Sequence, residues 1–124
     1  MPLTNKILVV DDDESVRSFL QDFLNDREMD AEAASNGEEA LQKIPKLQPS
    51  VVLLDIMMPG MGGVACLEKI KKQFPAIQVV MISGAEDAAV MDQAKKLGAA
   101  DYISKPFSLE YLETKLLTLL GKLK

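Results

Sequence analysis

The chain has 124 residues, enough for one domain with a single hydrophobic core, and its net charge of −5 argues against a nucleic-acid-binding surface, which needs clustered Lys and Arg. It has no apolar stretch long enough to cross a membrane and no signal-peptide pattern, so we expect a cytoplasmic protein without membrane contact. The chain has no histidine, which excludes His-based catalytic and metal sites. Its single cysteine, Cys66, excludes an internal disulfide and a multi-cysteine zinc site. Any chemistry is therefore left to carboxylates, lysine, hydroxyls and a hard metal ion.

Strand-like and helix-like patterns alternate five times along the chain. Short runs of apolar residues predict five strands, at residues 6–11, 30–34, 51–55, 77–83 and 101–104, of which the second has the weakest pattern. The clearest is Val51–Asp55, because a continuous apolar run is typical of a strand buried on both faces of a parallel sheet. Apolar residues at helical spacing follow each strand and predict five helices.

Polar residues and glycine or proline mark the ends of several predicted helices. We expect Asp13 to cap the first helix. Ser35, with Glu38 three residues later, fits a capping box at the start of the second helix. Pro45 should end that helix, because proline disrupts a helix interior. Gly98 fits the position just after the end of the fourth helix.

The last predicted helix follows Ser108, which we expect to be its N-cap. Its apolar stripe consists of Leu109, Leu112, Leu116 and Leu120. Two further leucines, Leu117 and Leu119, make this helix apolar beyond a single stripe. They fit either an exposed partner surface or additional core packing.

Five βα units with short connections predict an α/β fold, a five-stranded parallel sheet with helices on both faces. Right-handed crossovers leave few topologies, and the flavodoxin-like (βα)5 arrangement with strand order 2-1-3-4-5 suits this length. The sequence contains no linker, repeat or low-complexity segment. We therefore expect one domain over residues 1–124, with its core at about 6–120.

Polar side chains stand where four of the predicted strands end. The first strand leads into Asp11 and Asp12, the third ends at Asp55, the fourth at Ser83, and the fifth leads into Lys105. In open α/β sheets, ligands bind in the crevice at the carboxyl ends of the strands. We therefore expect these side chains to meet in one pocket, where a carboxylate can be a metal ligand, a nucleophile or a helix cap.

The predicted pocket combines several negative charges with one lysine. Two carboxylates about 4 Å apart repel each other by roughly 4 kcal/mol at an effective dielectric constant near 20, so a divalent cation is expected to join them. Mg²⁺ takes one or two carboxylates and bridges to phosphate groups. With the Lys105 ammonium and the Ser83 hydroxyl, this set suits a transferring phosphoryl group, and a carboxylate can accept that group as an acyl phosphate.

At this point the sequence resembles a known family. Four blocks are similar, in order and spacing, to the signature blocks of receiver domains, the phosphoacceptor domains of bacterial two-component response regulators: LVVDDD at 8–13, LLDIMMPGM at 53–61, MISGA at 81–85 and YISKPF at 102–107. The resemblance covers nearly the whole chain. Gly62 stands where the family usually has an aspartate, which removes no known ligand.

The resemblance implies that Asp55 is the phosphorylated residue. It also implies that Asp12, Asp55 and the backbone carbonyl of Met57 ligate Mg²⁺ or Mn²⁺ directly, and that Asp11 acts mainly through a metal-bound water. Ser83 and Lys105 would each bind a phosphoryl oxygen.

The resemblance further implies a signalling switch that catalyses only its own phosphorylation and dephosphorylation. A sensor histidine kinase or phosphotransfer protein would donate the group. Tyr102 would be the aromatic switch residue whose rotamer follows Ser83, and the Lys105–Pro106 bond would be cis. A downstream effector or output domain would respond at the face formed by the fourth helix, fifth strand and fifth helix, and a phosphorylation-dependent homodimer is compatible with this reading. A stand-alone regulator and a piece of a longer one both fit the sequence.

Two other functions fit part of the same residues. A phosphatase of the haloacid dehalogenase type also uses Asp, Ser or Thr, Lys and Mg²⁺, but it needs a second aspartate two residues after the nucleophile, where this chain has Met57. An interaction module that works without phosphorylation would not need the complete site. A flavin binder is disfavoured because the loop after the first strand is acidic and would repel a phosphate.

Overall fold

The structure is a computed structural model that describes residues 6–58, 60–84 and 88–122. Its strands are β1 (Lys6–Val10), β2 (Asp30–Ala34), β3 (Val51–Asp55), β4 (Gln78–Ser83) and β5 (Asp101–Ser104). Its helices are α1 (Glu14–Asn25), α2 (Gly37–Leu47), α3 (Gly63–Gln73), α4 (Ala88–Lys96) and α5, which is continuous over residues 109–122 and consists of Leu109–Tyr111, a π-helical turn at Leu112–Leu116 and Leu117–Lys122. Pro59 and Ala85, which belong to two of the four sequence blocks, lie outside the described residues.

The five strands form one parallel sheet in the order β2-β1-β3-β4-β5, which confirms the predicted topology. In the central register, Val10 of β1 lies beside Ala34 of β2 and Leu54 of β3. All five residues of β3 are buried, as the continuous apolar run predicts. Because β1 and β3 are neighbours, the residues that follow them emerge side by side at the carboxyl edge of the sheet.

Alternate residues of the strands feed two apolar layers, one on each face of the sheet. On one face, Leu8, Val10, Val52 and Leu54 pack with residues of α2, α3 and α4, among them Ile44, Leu67, Ile70 and Ala94. On the other face, Ile7, Val9, Val51 and Leu53 pack with residues of α1 and α5, among them Leu20, Phe23, Leu24, Leu112 and Leu116. Each fully buried side chain of this size stabilises the fold by about 1.5–3 kcal/mol relative to exposure. Within the described residues, no helix has both the length and the apolarity that crossing a bilayer requires.

Three of the predicted helix ends are confirmed. The Asp13 carboxylate accepts a hydrogen bond from the backbone N–H of Ser15 at 2.8 Å and caps α1. Ser108 caps α5 by accepting from the N–H of Tyr111 at 3.1 Å. Gly98, with φ of 109°, ends α4, where its N–H donates to the carbonyl oxygen of Lys95.

The predicted capping box of α2 is wrong by one residue. Asn36, not Ser35, is the N-cap, and its side-chain oxygen accepts from the N–H of Glu39 at 2.7 Å. The carboxylate of Glu39, not that of Glu38, reaches back and accepts from both the N–H and the hydroxyl of Ser35. Spacing alone could not separate the two arrangements, because Ser35 and Asn36 are both good caps and both are followed three residues later by a glutamate.

The prediction that Pro45 ends α2 is also wrong, since the helix continues to Leu47. Proline removes one backbone donor, and here that loss falls within the last turn of the helix. The helix instead ends where Gln48 adopts a left-handed conformation, with φ of 50°, and its N–H donates to the carbonyl oxygen of Ile44 at 2.8 Å.

In α5, the predicted stripe is only partly right. Leu112, Leu116 and Leu120 are buried, but Leu109 is 55% exposed. The π-helical turn adds a residue to one turn and shifts the register, so that Leu119 is also buried. Leu117 packs against the same apolar layer, so both extra leucines serve the core.

Cys66 is buried as well, and burial raises the pKa of its thiol to about 11.

Candidate functional site

Three carboxylates from two neighbouring strands meet at the carboxyl edge of the sheet. Asp11 and Asp12 directly follow β1, and Asp55 is the last residue of β3. One carboxylate oxygen of each lies within 4.8 Å of the others. Asp11 and Asp55 are almost fully buried, at 0% and 4% exposure, whereas Asp12 is exposed. The apolar strands therefore bring together two desolvated carboxylates and one that faces solvent.

Lys105 supplies the positive charge of the site. It follows β5, and its Nζ lies 3.0 Å from Oδ2 of Asp11 and 3.5 Å from Oδ2 of Asp55. The peptide bond between Lys105 and Pro106 is cis, as the resemblance implies. The ammonium thus lies between the two buried carboxylates and partly offsets their mutual repulsion.

Backbone N–H groups fix the orientation of both buried carboxylates. Oδ1 of Asp11 accepts a hydrogen bond from the N–H of Asp13 at 2.9 Å, and Oδ1 of Asp55 accepts one from the N–H of Met57 at 3.3 Å. Oδ2 of Asp11 is buried, and no group among the described residues meets hydrogen-bond geometry towards it, although Nζ of Lys105 is close. This oxygen retains capacity for a further partner.

The electrostatics of the pocket shift two pKa values. Burial, and secondarily the negative charge of Asp11, raise the pKa of Asp55 to about 6 despite the nearby lysine. Burial alone would lower the pKa of Lys105, but its contacts with the carboxylates of Asp11 and Asp55 outweigh that effect and raise it. Lys105 therefore stays charged, while Asp55 ionises at a higher pH than an ordinary aspartate, and a further cation would favour its ionised form.

The donor set fits a hard divalent cation. Its ligand atoms are carboxylate oxygens, which Mg²⁺ and Mn²⁺ prefer. Such a cation would supply a partner for the buried Oδ2 of Asp11, which lacks a hydrogen bond. It would also lower the raised pKa of Asp55. Asp11, Asp12 and Asp55 could hold it. Met57 is close to the site through its N–H contact with Asp55, and the role of its carbonyl oxygen as a ligand stays a prediction.

Ser83 lies on β4, the strand beside β3, and Tyr102 lies on β5, the next strand after it. Ser83 ends β4 and is buried, and its carbonyl oxygen accepts a hydrogen bond from the N–H of Lys105 at 2.7 Å. Tyr102 is partly buried against α4, and its ring lies 6.0 Å from Nζ of Lys95 and 5.2 Å from Nζ of Lys115. Backbone pairing therefore links Ser83 to the segment that carries Lys105.

Gly63 is a site residue that the sequence analysis did not single out. It begins α3, and its N–H donates to the carbonyl oxygen of Ile56 at 2.9 Å. A Cβ atom at this position would clash with the carbonyl oxygen of Asp55, so a side chain would displace the backbone that carries Asp55. The Gly62–Gly63 pair was the available signal, but it indicates a loose loop as readily as a close backbone approach.

Comparison with known proteins agrees with this geometry. A family model described as the response regulator receiver domain matches residues 7–117. The chain is similar to the alkaline phosphatase synthesis transcriptional regulatory protein PhoP of Bacillus subtilis strain 168, with 36% identity over 106 residues, which is 86% of this chain and 44% of that protein. It spans 23 to 50% of the length of three other curated relatives.

Two solved structures share this fold over more than nine tenths of both chains. The receiver domain of NtrX from Brucella abortus is 37% identical with a TM-score of 0.85, and the match covers 93% of this chain and 98% of that one. The chemotaxis protein CheY4 of Vibrio cholerae is 28% identical with a TM-score of 0.87, covering 94% of this chain and 99% of that one.

Proposed function

This chain belongs to the response regulator receiver domain family of two-component systems, and from that premise we propose that it is a switch activated by phosphorylation of Asp55. The observation that carries the proposal is the position of Asp55, a nearly buried carboxylate with Lys105 at 3.5 Å and two further aspartates beside it. This arrangement combines a nucleophile with the charges that phosphoryl transfer needs.

In the proposed reaction, a carboxylate oxygen of Asp55 attacks the phosphorus atom of a phosphohistidine in line. The new P–O bond forms as the P–N bond breaks, and the imidazole leaves. Asp55 must be ionised to attack, which the raised pKa allows above about pH 6. Lys105 pairs with a phosphoryl oxygen and offsets the charge that develops there. Mg²⁺ or Mn²⁺ would be held by Asp12, Asp55 and the Met57 carbonyl, with Asp11 acting mainly through a metal-bound water, and would supply further charge neutralisation.

The acyl phosphate adds about −1.5 to −2 charge and new acceptor oxygens. Ser83 would bind one of these oxygens through its hydroxyl, and Tyr102 would then turn inward beside it. The surface formed by α4, β5 and α5 would change its affinity for a partner, as a shift between two packings that the phosphoryl group stabilises differently.

We propose a sensor histidine kinase or phosphotransfer protein as the donor and an effector or output domain as the receiver of the signal, in the cytoplasm. A homodimer that forms on phosphorylation would be one form of that response. The phosphatase alternative needs an acid where Met57 stands. We therefore propose that the chain catalyses only its own phosphorylation and dephosphorylation.

Incubation with acetyl phosphate and Mg²⁺ tests the proposal directly. Intact-mass spectrometry should show the addition of one phosphoryl group, and hydroxylamine, which attacks acyl phosphates, should remove it. Asp55→Asn should abolish labelling. Asp13→Asn is the matched control, because asparagine also caps helices, and it should label normally. Stoichiometric labelling of Asp55→Asn at one site would exclude Asp55 as the acceptor.

A further inference from the structure

Arg17 of α1 contacts the backbone of the acidic segment that follows β1. Its Nη1 donates a hydrogen bond of 2.8 Å to the backbone carbonyl oxygen of Asp11, and the guanidinium is partly buried. The contact joins the first turns of α1 to the point where β1 ends. None of the four family blocks includes Arg17, and it touches none of the side chains of the phosphorylation site through a described hydrogen bond.

The carbonyl oxygen of Asp11 belongs to the peptide group that connects Asp11 to Asp12. The sheet holds the preceding peptide group, since the N–H of Asp11 donates to the carbonyl oxygen of Ala34 at 3.2 Å. Beyond that point the strand pairing of β1 stops. Arg17 therefore fixes the plane of the first peptide group outside the sheet, and that plane determines where the Asp12 backbone starts.

Asp12 is the member of the carboxylate cluster that most needs such a restraint. Asp11 and Asp55 are buried and are oriented by hydrogen bonds from Asp13 and Met57. Asp12 is exposed, and no side-chain hydrogen bond or ion pair of Asp12 is described. Its carboxylate nevertheless lies within 4.8 Å of the other two. An exposed carboxylate keeps such a position only if its backbone is held.

We propose that Arg17 is a positioning residue for the divalent cation of the proposed function. By holding the Asp11–Asp12 peptide group, it keeps the Asp12 carboxylate directed at the site and so strengthens cation binding. Groups that orient a metal ligand typically change metal affinity by about 10- to 100-fold when they are removed.

The charge of Arg17 alone predicts the opposite result. A guanidinium beside the site repels a divalent cation, so its removal would tighten Mg²⁺ binding if electrostatics were its only effect. Loss of the hydrogen bond to Asp11 would weaken binding. The sign of the change therefore separates positioning from simple charge.

The experiment compares Mg²⁺ binding by the unmodified chain with that by Arg17→Met and Arg17→Lys, using isothermal titration and the shift in thermal unfolding with Mg²⁺. Arg27→Met is the matched control. Arg27 lies two residues beyond the end of α1, donates to a backbone carbonyl, that of Phe23 at 3.0 Å, and pairs with Glu113, away from the site. We expect the Kd for Mg²⁺ to rise about 10-fold in Arg17→Met, to rise less in Arg17→Lys, and to stay within about twofold in Arg27→Met.

Phosphorylation by acetyl phosphate supplies a second readout. The Mg²⁺ concentration for half-maximal labelling should rise about 10-fold in Arg17→Met, while the rate at saturating Mg²⁺ should change little. An unchanged or tighter Kd in Arg17→Met, an equal loss in Arg27→Met, or no recovery in Arg17→Lys would overturn the inference while leaving the proposed function intact. Failure of the unmodified chain to bind Mg²⁺ would instead reject the proposed function, and this inference with it.

Discussion

Nζ of Lys105 lies closer to the carboxylate of Asp11, at 3.0 Å, than to that of Asp55, at 3.5 Å. The ammonium is thus shared between two carboxylates that apolar strands keep away from water. In this arrangement, Lys105 offsets the charge of both carboxylates, and under the proposed function it would also pair with a phosphoryl group on Asp55.

Replacing Lys105 should separate these two roles. Lys105→Met leaves two buried carboxylates without their cation, so the metal-free protein should lose about 1–3 kcal/mol of unfolding free energy, and Mg²⁺ should bind more tightly because the local charge is more negative. Labelling by acetyl phosphate should slow by about 100-fold or more. Chemical denaturation, Mg²⁺ titration and labelling rates measure the three effects.

Lys6→Met is the control for this prediction. Lys6 is similarly exposed, but it pairs with Asp30 at 3.7 Å at the opposite edge of the sheet. It should leave Mg²⁺ affinity and labelling unchanged. Normal labelling of Lys105→Met would contradict the role of Lys105 in transfer.

The raised pKa of Asp55 predicts how stability depends on pH in the metal-free protein. The pKa of Asp55 is about 6 in the folded state, against 3.8 for an ordinary aspartate, which represents the unfolded chain. Between about pH 4 and 6 the folded state therefore holds the proton more tightly than the unfolded chain does. The free energy of unfolding should therefore fall as pH rises through that range. At about 1.4 kcal/mol for each pKa unit, the total is about 3 kcal/mol.

Asp55→Asn removes this titration. In the presence of EDTA, the variant should match the unmodified chain near pH 4 and exceed it by up to about 3 kcal/mol above pH 7. Urea denaturation across pH 4–8 measures the difference. A gap that shrinks as pH rises would show that burial does not raise the pKa of Asp55.

Gly63 should tolerate no side chain. In Gly63→Ala, the new Cβ would clash with the carbonyl oxygen of Asp55, so the start of α3 or the end of β3 must move. We expect a loss of about 1–3 kcal/mol in unfolding free energy and slower labelling, because the displaced backbone carries Asp55, the proposed phosphoacceptor. Denaturation and acetyl phosphate labelling test both effects.

Gly121→Ala is the matched control, since nothing lies within 4 Å of a Cβ at that helical position. It should stabilise the protein by about 0.5–1 kcal/mol and leave labelling unchanged. If Gly63→Ala behaves like Gly121→Ala, the close contact between α3 and β3 is not required.

Glu39 anchors the start of α2 and should matter more than its neighbour Glu38. Its carboxylate accepts hydrogen bonds from the N–H and hydroxyl of Ser35 and pairs with Lys43, and these contacts lower its pKa to about 2. Glu39→Gln should cost about 1 kcal/mol at neutral pH, a modest value because the side chain is partly exposed.

The pH dependence of this effect has a definite sign. The contribution of Glu39 is present above about pH 4.5 and is lost as the pH falls towards 2, because its folded pKa lies below its ordinary value. Glu38→Gln, on the same helical turn, is the control and should change stability little. Denaturation midpoints at pH 7 and pH 3 test this, and an equal cost for both substitutions would contradict the observed cap.

The sequence predicts those parts of the molecule that depend on runs of apolar residues. The strand at Val51–Asp55 has its predicted bounds, because a buried strand needs an unbroken apolar run and Asp55 ends it. The strand order and the convergence of Asp11, Asp55 and Lys105 follow from the βα alternation, since the carboxyl ends of parallel strands share one edge.

The sequence does not predict features that depend on contacts between distant segments or on competing local choices. Asn36 and Ser35 both suit the same cap, and the spacing of the following glutamates does not decide between them. The π-helical turn in α5 has no signal in the leucine spacing. The contact between Arg17 and the Asp11 carbonyl and the approach of Gly63 to Asp55 become visible only once the backbone is in place.

Direct identification of the phosphorylated residue is the measurement that tests the central claim most sharply. Borohydride reduces an aspartyl phosphate to homoserine, which peptide mass spectrometry can locate after labelling with acetyl phosphate and Mg²⁺. We predict homoserine at position 55 and its absence when Mg²⁺ is chelated. Homoserine at Asp11, Asp12 or any other position, or none at all in a labelled sample, would contradict the account.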